Sequence, residues 1–145
     1  MFLNLLKCSK IVKAGNGNAA AQTLVTSSTV LMDGYDSVMC IVDLAAVVDG
    51  AVMTLQAQDG ALANGSDAAN IAGAATAAFT GATSSNGQIV LDLQKPLKEY
   101  VTFTFARTAQ NVTVNSITMI LYNARNKPTV QPTTVLSSAE INSAA

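Results

Sequence analysis

The residue types that most often carry catalysis or bind cofactors are sparse in this chain. It has no His and no Trp among its 145 residues, which excludes His-based triads, His metal sites and imidazole proton shuttles. Gly15, Gly17 and Ala20, with Asp33 downstream, have the spacing of a dinucleotide-binding fingerprint. That fingerprint needs a helix starting at the glycines, whereas the Thr-, Val- and Ser-rich residues that follow favour a strand. We therefore interpret the glycines as a turn and expect no cofactor.

Seven aspartates in the middle of the chain raise the question of a metal or paired-carboxylate site. Their spacing matches no calcium loop, and Asp33 and Asp36 lie in turn-forming sequence, where Asp commonly bonds nearby backbone amides. A glycosidase needs two carboxylates facing a cleft, and the aromatic side chains that would support a sugar are few, three Tyr and four Phe. We expect no metal and no catalytic residue, and we interpret the protein as not an enzyme.

Charge is segregated along the chain. Lys7, Lys10 and Lys13 open it, no Lys or Arg occurs from 14 to 94, and the seven aspartates fall in that interval. The last part carries five cations, which are Lys95, Lys98, Arg107, Arg125 and Lys127. Opposite charges so distributed can pair within one fold or between neighbouring subunits. The cations are too few and scattered for a nucleic-acid groove, and no apolar run is long enough to span a bilayer, so we expect neither partner.

The two cysteines differ in their surroundings. Cys40 lies inside an apolar, strand-like run, which predicts a buried free thiol. Cys8 lies in the opening segment, which has no basic leader, long apolar stretch or cleavage site and is not expected to be a secretory signal. Two cysteines allow one bridge, and the sequence leaves open whether they meet.

Turn dipeptides separated by β-branched runs predict an all-β fold. Strands are expected over 9–13, 23–31, 37–48, 51–58, 88–93, 100–107 and 111–123. Asp49-Gly50 lies between two of these runs and is the strongest hairpin signal in the chain. In 51–58 and 100–107, apolar and polar residues alternate with a period of two, as in half-buried strands. We predict an antiparallel β-sandwich, jelly-roll-like, over residues 9–125.

The segment 61–85 is rich in Ala and poor in large side chains. It is predicted as a long surface loop with a weak strand near 77–80. A short helix around 67–72 is the alternative, because Ala favours helix and Ser66 has the chemistry of an N-cap.

Both ends of the chain differ from the predicted sandwich. Residues 1–8 form an N-terminal arm or a first strand, and their apolar members, Phe2, Leu3, Leu5 and Leu6, either cover the protein's own core or are buried against a partner. Residues 126–145 contain Pro128 and Pro132 and almost no large apolar side chain. Proline favours extended chain, so this segment is either a disordered tail or an extended arm that becomes ordered on a neighbouring subunit.

Taken in order, these segments show a family likeness. Its most specific parts are the Met-Asp-Gly-Tyr-Asp turn at 32–36, Tyr100 with Arg107, and the Tyr-Asn-Ala-Arg-Asn-Lys-Pro run at 122–128. Nearly the whole chain resembles a group of short virion proteins of tailed bacteriophages that are encoded among head genes and decorate or cement the capsid. It departs from them at 61–85, where relatives often carry a Trp-containing segment.

The resemblance implies a β-sandwich protein on the outer surface of the phage head, assembled in the host cytoplasm and located in the virion. Its expected partners are the major capsid protein and copies of itself, in a trimer. Assembly contacts are then expected from the two arms, at Phe2, Leu3, Leu5, Leu6, Arg125, Lys127, Pro128 and Pro132. Two other interpretations remain open, a carbohydrate-binding sandwich displayed on the virion and a tail or head–tail joining protein.

Overall fold

A single-turn helix and eleven strands make up the regular structure of residues 4–80 and 85–139, the part of the chain that this computed structural model describes. The helix is α1, Leu5–Cys8. The strands are β1 Lys10–Gly15, β2 Asn18–Ala21, β3 Val25–Thr26, β4 Val30–Leu31, β5 Tyr35–Val47, β6 Val52–Gly60, β7 Ala69–Ala75, β8 Phe79–Thr80, β9 Gln88–Gln94, β10 Tyr100–Thr108 and β11 Val112–Ala124.

The strands form two antiparallel sheets that pack face to face, which confirms the predicted β-sandwich. Sheet A has the order β1/β2, β11, β5, β9, and sheet B has the order β3/β4, β10, β6, β7/β8. Counting each pair joined by a slash as one interrupted strand, every connection except β6 to β7 passes from one sheet to the other. This strand order, in which successive strands alternate between two four-stranded sheets, is that of a jelly roll.

The core lies between β5 and β11 of sheet A and β6 and β10 of sheet B. Alternate residues of each strand point into it, as the period-two pattern predicted. On β10 these are Val101, Phe103 and Phe105, and on β6 they are Met53, Leu55 and Ala57, all buried. Burial of these apolar side chains is the main driving force for closing the two sheets on each other.

Asp49-Gly50 forms the expected turn but not the expected hairpin. The N–H of Ala51 donates to the carbonyl of Val48 at 3.1 Å, and Gly50 has a φ of 88°, a conformation that glycine adopts without strain. However, β5 before the turn pairs in sheet A and β6 after it pairs in sheet B. The hairpin prediction is wrong because the two buried faces pack against each other across the core, which places the strands in opposite sheets.

The helix alternative for the Ala-rich segment is also wrong. Residues 69–75 form β7 beside β6, and 79–80 form β8, in agreement with the weak strand predicted near 77–80. Asp67, at the start of the expected helix, instead accepts the N–H groups of Ala61 at 2.8 Å and Leu62 at 3.1 Å. The Ala61 bond is the main cause of the lowered pKa of Asp67. Residues 81–84, also in this segment, lie outside the described residues.

The glycine pair near the N-terminus is a break in an edge strand rather than a hairpin turn. The strands on either side of it, β1 and β2, both pair with β11. A Cβ on Gly17 would lie 3.2 Å from the carbonyl oxygen of Asn115, so glycine allows the close approach. The next described elements are strands and not the helix that a dinucleotide fingerprint needs. The predicted strand 23–31 is likewise interrupted, into β3 and β4.

Arg107 is buried between the two sheets at one end of the sandwich. It occupies a core-facing position of β10 and is 3% exposed. Its Nε donates to the carbonyl of Thr23 at 2.8 Å, and its Nη1 donates to the carbonyls of Ala19 and Val112. Its Nη2 donates to Thr23 Oγ1 at 3.1 Å. Burial lowers the pKa of the guanidinium. A single side chain of sheet B thus satisfies backbone carbonyls of sheet A and of the loop joining the sheets.

We predict that Arg107→Met lowers the free energy of unfolding by about 3 kcal/mol, because three backbone carbonyls, that of buried Val112 among them, lose charge-assisted hydrogen bonds. Arg125→Met is the matched control, since its ion pair is at the surface and is worth less than about 1 kcal/mol. Urea denaturation of both variants measures the difference. Equal losses in the two variants would show that Arg107 does not hold the sheets together.

The two thiols are free and differ in access. Burial raises the pKa of Cys40 to about 12, whereas Cys8 at the end of α1 is partly exposed. Only the thiolate reacts quickly with thiol reagents, so we predict that Cys8 reacts in the folded protein and Cys40 only after denaturation. Titration with a thiol reagent at pH 8, with Cys8→Ser as the control, measures this. Rapid labelling of both thiols in the native state would contradict the described packing.

Candidate functional site at the end that carries both termini

Strand direction brings the start of β1, the end of β11 and two prominent turns to the same end of the sandwich, here called the terminal end. β1 begins there beside Leu121, and β11 ends there beside Tyr35. The turn at 32–36 leads into β5, and the turn at 95–99 joins β9 to β10. Arg107 and the Asp49-Gly50 turn lie at the opposite end.

An open cavity of about 520 Å³ lies between these two turns. The N–H of Lys95 donates to the carbonyl of Asp36 at 2.8 Å, and the N–H of Arg125 donates to the carbonyl of Gly34 at 2.9 Å. The Arg125 side chain also binds Asp36 Oδ1, from Nε at 3.1 Å and Nη2 at 2.9 Å. These bonds join 32–36, 95–99 and the end of β11 into one unit around the cavity.

The terminal end is strongly charged, with both signs present. Every Lys and Arg of the chain except Lys13 and Arg107 lies there. Asp33, Asp36 and Glu99 line the cavity beside Lys95, Lys98 and Arg125. Within the described ranges, no group of three or more Cys, Asp or Glu residues is arranged to hold a metal ion. Mixed charges on an open surface are suited to contact with another polar surface.

The segment after β11 is tied to the segment before β1. Gln131 Nε2 donates to the carbonyls of Leu6 at 2.9 Å and Ser9 at 2.7 Å, while its Oε1 accepts the N–H of Ile11 at 2.9 Å. The hydroxyl of Thr129 lies 2.9 Å and 2.6 Å from the same two carbonyls. Burial raises the pKa of Tyr35, and a hydrogen bond with Thr129 partly offsets this. We call residues 5–11 with 129–131 the terminal clamp.

Some of the predicted assembly residues lie outside the described part of the chain, some lie in α1 and the others lie at or after the end of β11. Phe2 and Leu3 lie outside the described residues. Leu5 is exposed, whereas Leu6 is half-buried and its carbonyl belongs to the terminal clamp. Arg125 is in the ion pair with Asp36. The remaining residues follow it in the chain, with Lys127 and Pro128 exposed and Pro132 half-buried.

The structure thus places the described N-terminal candidates beside the C-terminal ones. Residues 129–131 of the C-terminal arm are hydrogen-bonded to the chain's own N-terminal segment.

Leu97 is a candidate contact residue that the sequence analysis missed. It lies at the tip of the turn between β9 and β10 and is 97% exposed. Lys95 and Lys98 flank it, and Pro96 precedes it. Pro96 indicates a turn, but the exposure of Leu97 depends on how far the turn projects from the sandwich. Asp36, Thr129 and Gln131 were missed for a similar reason, since their partners are more than 80 residues away in the chain.

Two of the residues that carry the family likeness, Tyr100 and Arg107, lie at opposite ends of β10. Tyr100 begins the strand at the terminal end, and Arg107 lies at its other end, inside the core. In contrast, the other two segments that carry the family likeness, 32–36 and 122–128, lie next to each other and are joined by the Arg125–Asp36 ion pair.

Comparison with known proteins adds no family assignment: no protein-family model matches the chain, and no curated protein matches it significantly. None of the helices in the described part of the chain is long and apolar enough to cross a membrane.

We predict that Gln131→Ala loosens the terminal clamp, because three hydrogen bonds to the N-terminal segment are lost at once. The Ile11 amide is expected to exchange with solvent about tenfold faster, as local opening becomes easier. Amide hydrogen exchange followed by NMR measures this. Gln110→Ala, at the opposite end, is the control. An unchanged exchange rate at Ile11 would mean that residues 129–131 do not hold the N-terminal segment.

Proposed function

We propose that this protein is a structural virion protein, a decoration or cement protein that binds the outer surface of a phage head and stabilises it. The observation that carries the proposal is the gathering of the segments before β1 and after β11, six cations and an exposed Leu97 at one end of the sandwich. The family likeness of the sequence is the second support. The proposed partners are the major capsid protein and further copies of this chain, in a trimer.

The terminal end has the physical properties that such a role needs. Leu5 is 66% exposed, Val130 is 83% exposed and Leu136 is 95% exposed, so large aliphatic side chains on both terminal segments lack a covering surface within the described residues. Several weak contacts made from one rigid body reinforce each other, because each contact raises the effective concentration of the next. A subunit that binds only the assembled shell stabilises it by mass action and needs no reactive group.

The charges at the terminal end suit contact with another folded protein. Lys95 and Lys98 flank the exposed Leu97, so an apolar side chain is surrounded by a polar, charged rim. Such an arrangement is typical of protein–protein interfaces. The ion pair between Arg125 and Asp36 keeps the turn at 32–36 fixed relative to the C-terminal segment. We infer that the terminal end faces the shell.

The carbohydrate-binding interpretation has less support from the side chains. A sugar site would need exposed aromatic rings close together. Tyr35, Tyr100 and Tyr122 are half-buried, Phe103 and Phe105 are in the core, and Phe79 on β8 is the one exposed aromatic side chain among the described residues. The jelly-roll fold does not distinguish the capsid-binding interpretation from the carbohydrate-binding one, since it occurs in both viral capsid and lectin domains. For the head–tail joining interpretation, a ring of six or twelve subunits in solution would be the distinguishing observation.

We predict that a chain ending at Pro132 binds shells about tenfold or more weakly than the full chain, since it loses one of several linked contacts. Ending at Pro132 keeps Thr129 and Gln131, so the terminal clamp and the melting temperature are expected to be unchanged within about 2 °C. Co-sedimentation with shells assembled from the major capsid protein of the same phage measures the binding.

Leu97→Asp is expected to weaken shell binding by a similar factor, because it places a carboxylate where an exposed aliphatic side chain is proposed to be buried. Val48→Asp is the matched control: Val48 is also an exposed aliphatic residue, but it lies at the opposite end. If the full chain does not pellet with shells, the proposed function is wrong. If it pellets and neither the truncation nor Leu97→Asp reduces binding, the terminal end is not the shell-binding surface.

A further inference from the structure

The two sheets present chemically different outer faces. In sheet B, the outward positions of the central strands are mostly Thr and Gln, including Thr54, Gln56, Gln58 and Thr104. In sheet A, core-facing Val38, Cys40 and Val42 alternate with outward Met39 and Ile41 on β5. Sheet B therefore has the outer face expected for contact with water, and sheet A does not.

The outward apolar side chains of sheet A are adjacent across its four strands. Ile11 of β1 is opposite Ile120 of β11, which is opposite Met39 of β5. Ile41, two residues further along β5, is opposite Val90 of the edge strand β9. Directly opposed residues have Cβ atoms about 5 Å apart, so their side chains are in contact. These five residues form a continuous strip, here called the apolar band.

Charges of both signs lie next to the apolar band. Lys13 lies outward on β1, beside Thr118. Asp43 lies outward on β5, and Asp92 lies outward on β9. Asp92 accepts a hydrogen bond from the hydroxyl of Tyr122. Within residues 4–80 and 85–139, Lys13 and Asp43 have no ion-pair partner. The face thus carries a cation on β1 and carboxylates on β5 and β9, next to the apolar band.

We propose that the outer face of sheet A is the surface through which copies of this chain associate, with the apolar bands in contact and Lys13 of one copy near Asp43 of another. The inference rests on the homo-oligomer in the proposed function and names the surface that forms it. A second copy is the occupant that the charges favour, because Lys13 on the face of one copy is complementary to Asp43 on the face of another. The interface has the usual anatomy, an apolar centre with Met and a charged rim.

The size of the face sets the expected strength of the contact. Four strands about 4.8 Å apart, each with about seven residues rising 3.4 Å, cover roughly 450 Å². This is about half of the roughly 800 Å² that each partner buries in a standard interface. We therefore expect an association that depends on protein concentration in the micromolar range and weakens with salt, since the rim charges are screened.

Ile120→Lys tests the apolar band, because it places a charge at the centre of the proposed contact. Thr104→Lys is the matched control, a half-buried outward position on the central strand of the other sheet. Light-scattering mass is measured for the full chain and both variants over a range of concentrations, with circular dichroism to confirm folding. The full chain and Thr104→Lys are expected to be oligomeric, and Ile120→Lys to associate about tenfold or more weakly.

A charge exchange tests the orientation of the copies and does not depend on the apolar band. Lys13→Glu is expected to weaken association. Adding Asp43→Lys to the same chain is expected to restore it, because the side chains at 13 and 43 again have opposite charges, with their signs exchanged. A double variant that associates no better than Lys13→Glu would show that these two residues do not meet between copies.

The outcomes separate this inference from the proposed function. A full chain that is monomeric at all concentrations, or a folded Ile120→Lys variant with the mass of the full chain, overturns the proposed surface whether or not shells are bound. Association through this face without co-sedimentation overturns shell binding and leaves the surface in place. Loss of mass in Ile120→Lys but not in Thr104→Lys supports the surface.

Discussion

The pairing of β5 with β11, packed across the core on the pairing of β6 with β10, is the constraint on which the rest of the structure depends. Each of these strands has a buried face of alternate apolar residues, and none of the four can bury that face without the opposite sheet. The chain therefore crosses between the sheets at nearly every connection. Arg107 completes the arrangement at one end, where its buried guanidinium donates to the backbone carbonyls of Thr23, Ala19 and Val112.

From this strand order follows a division of the surface into regions with different chemistry. The terminal end gathers the segments before β1 and after β11, most cations and Leu97, because β1 and β5 begin there and β9 and β11 end there. The outer face of sheet A has an apolar centre, and the outer face of sheet B is polar. Binding of a shell at the terminal end and contact between copies on sheet A would use different side chains, so one subunit can make both contacts at once. Ile11 belongs to both the terminal clamp and the apolar band, but it joins the clamp through its backbone N–H.

Local sequence was a good guide to strands and turns but a poor guide to which strands pair. The alternation in 51–58 and 100–107 predicted the buried faces of β6 and β10, because the side-chain period of a strand depends only on the backbone. Asp49-Gly50 predicted a turn for the same local reason. It did not predict the partner sheet, because whether a turn joins neighbours in one sheet or crosses between two depends on where the buried faces can meet. Residues 69–75 became a strand despite their Ala content because the free edge of β6 offered backbone hydrogen bonds.

The candidate site shows the same division between local and distant information. Composition identified both arms as unusual, and their residues 5–6 and 125–132 do lie side by side in the structure. Leu97, and the bonds from Thr129 and Gln131 to the N-terminal segment, depend on residues far apart in the chain. The sequence by itself determined that this is an all-β chain whose core-facing residues alternate, since those properties are local. The tertiary structure alone decided which strands pair, which end collects the termini and which outer face is apolar, since each of these requires distant segments to share the same space.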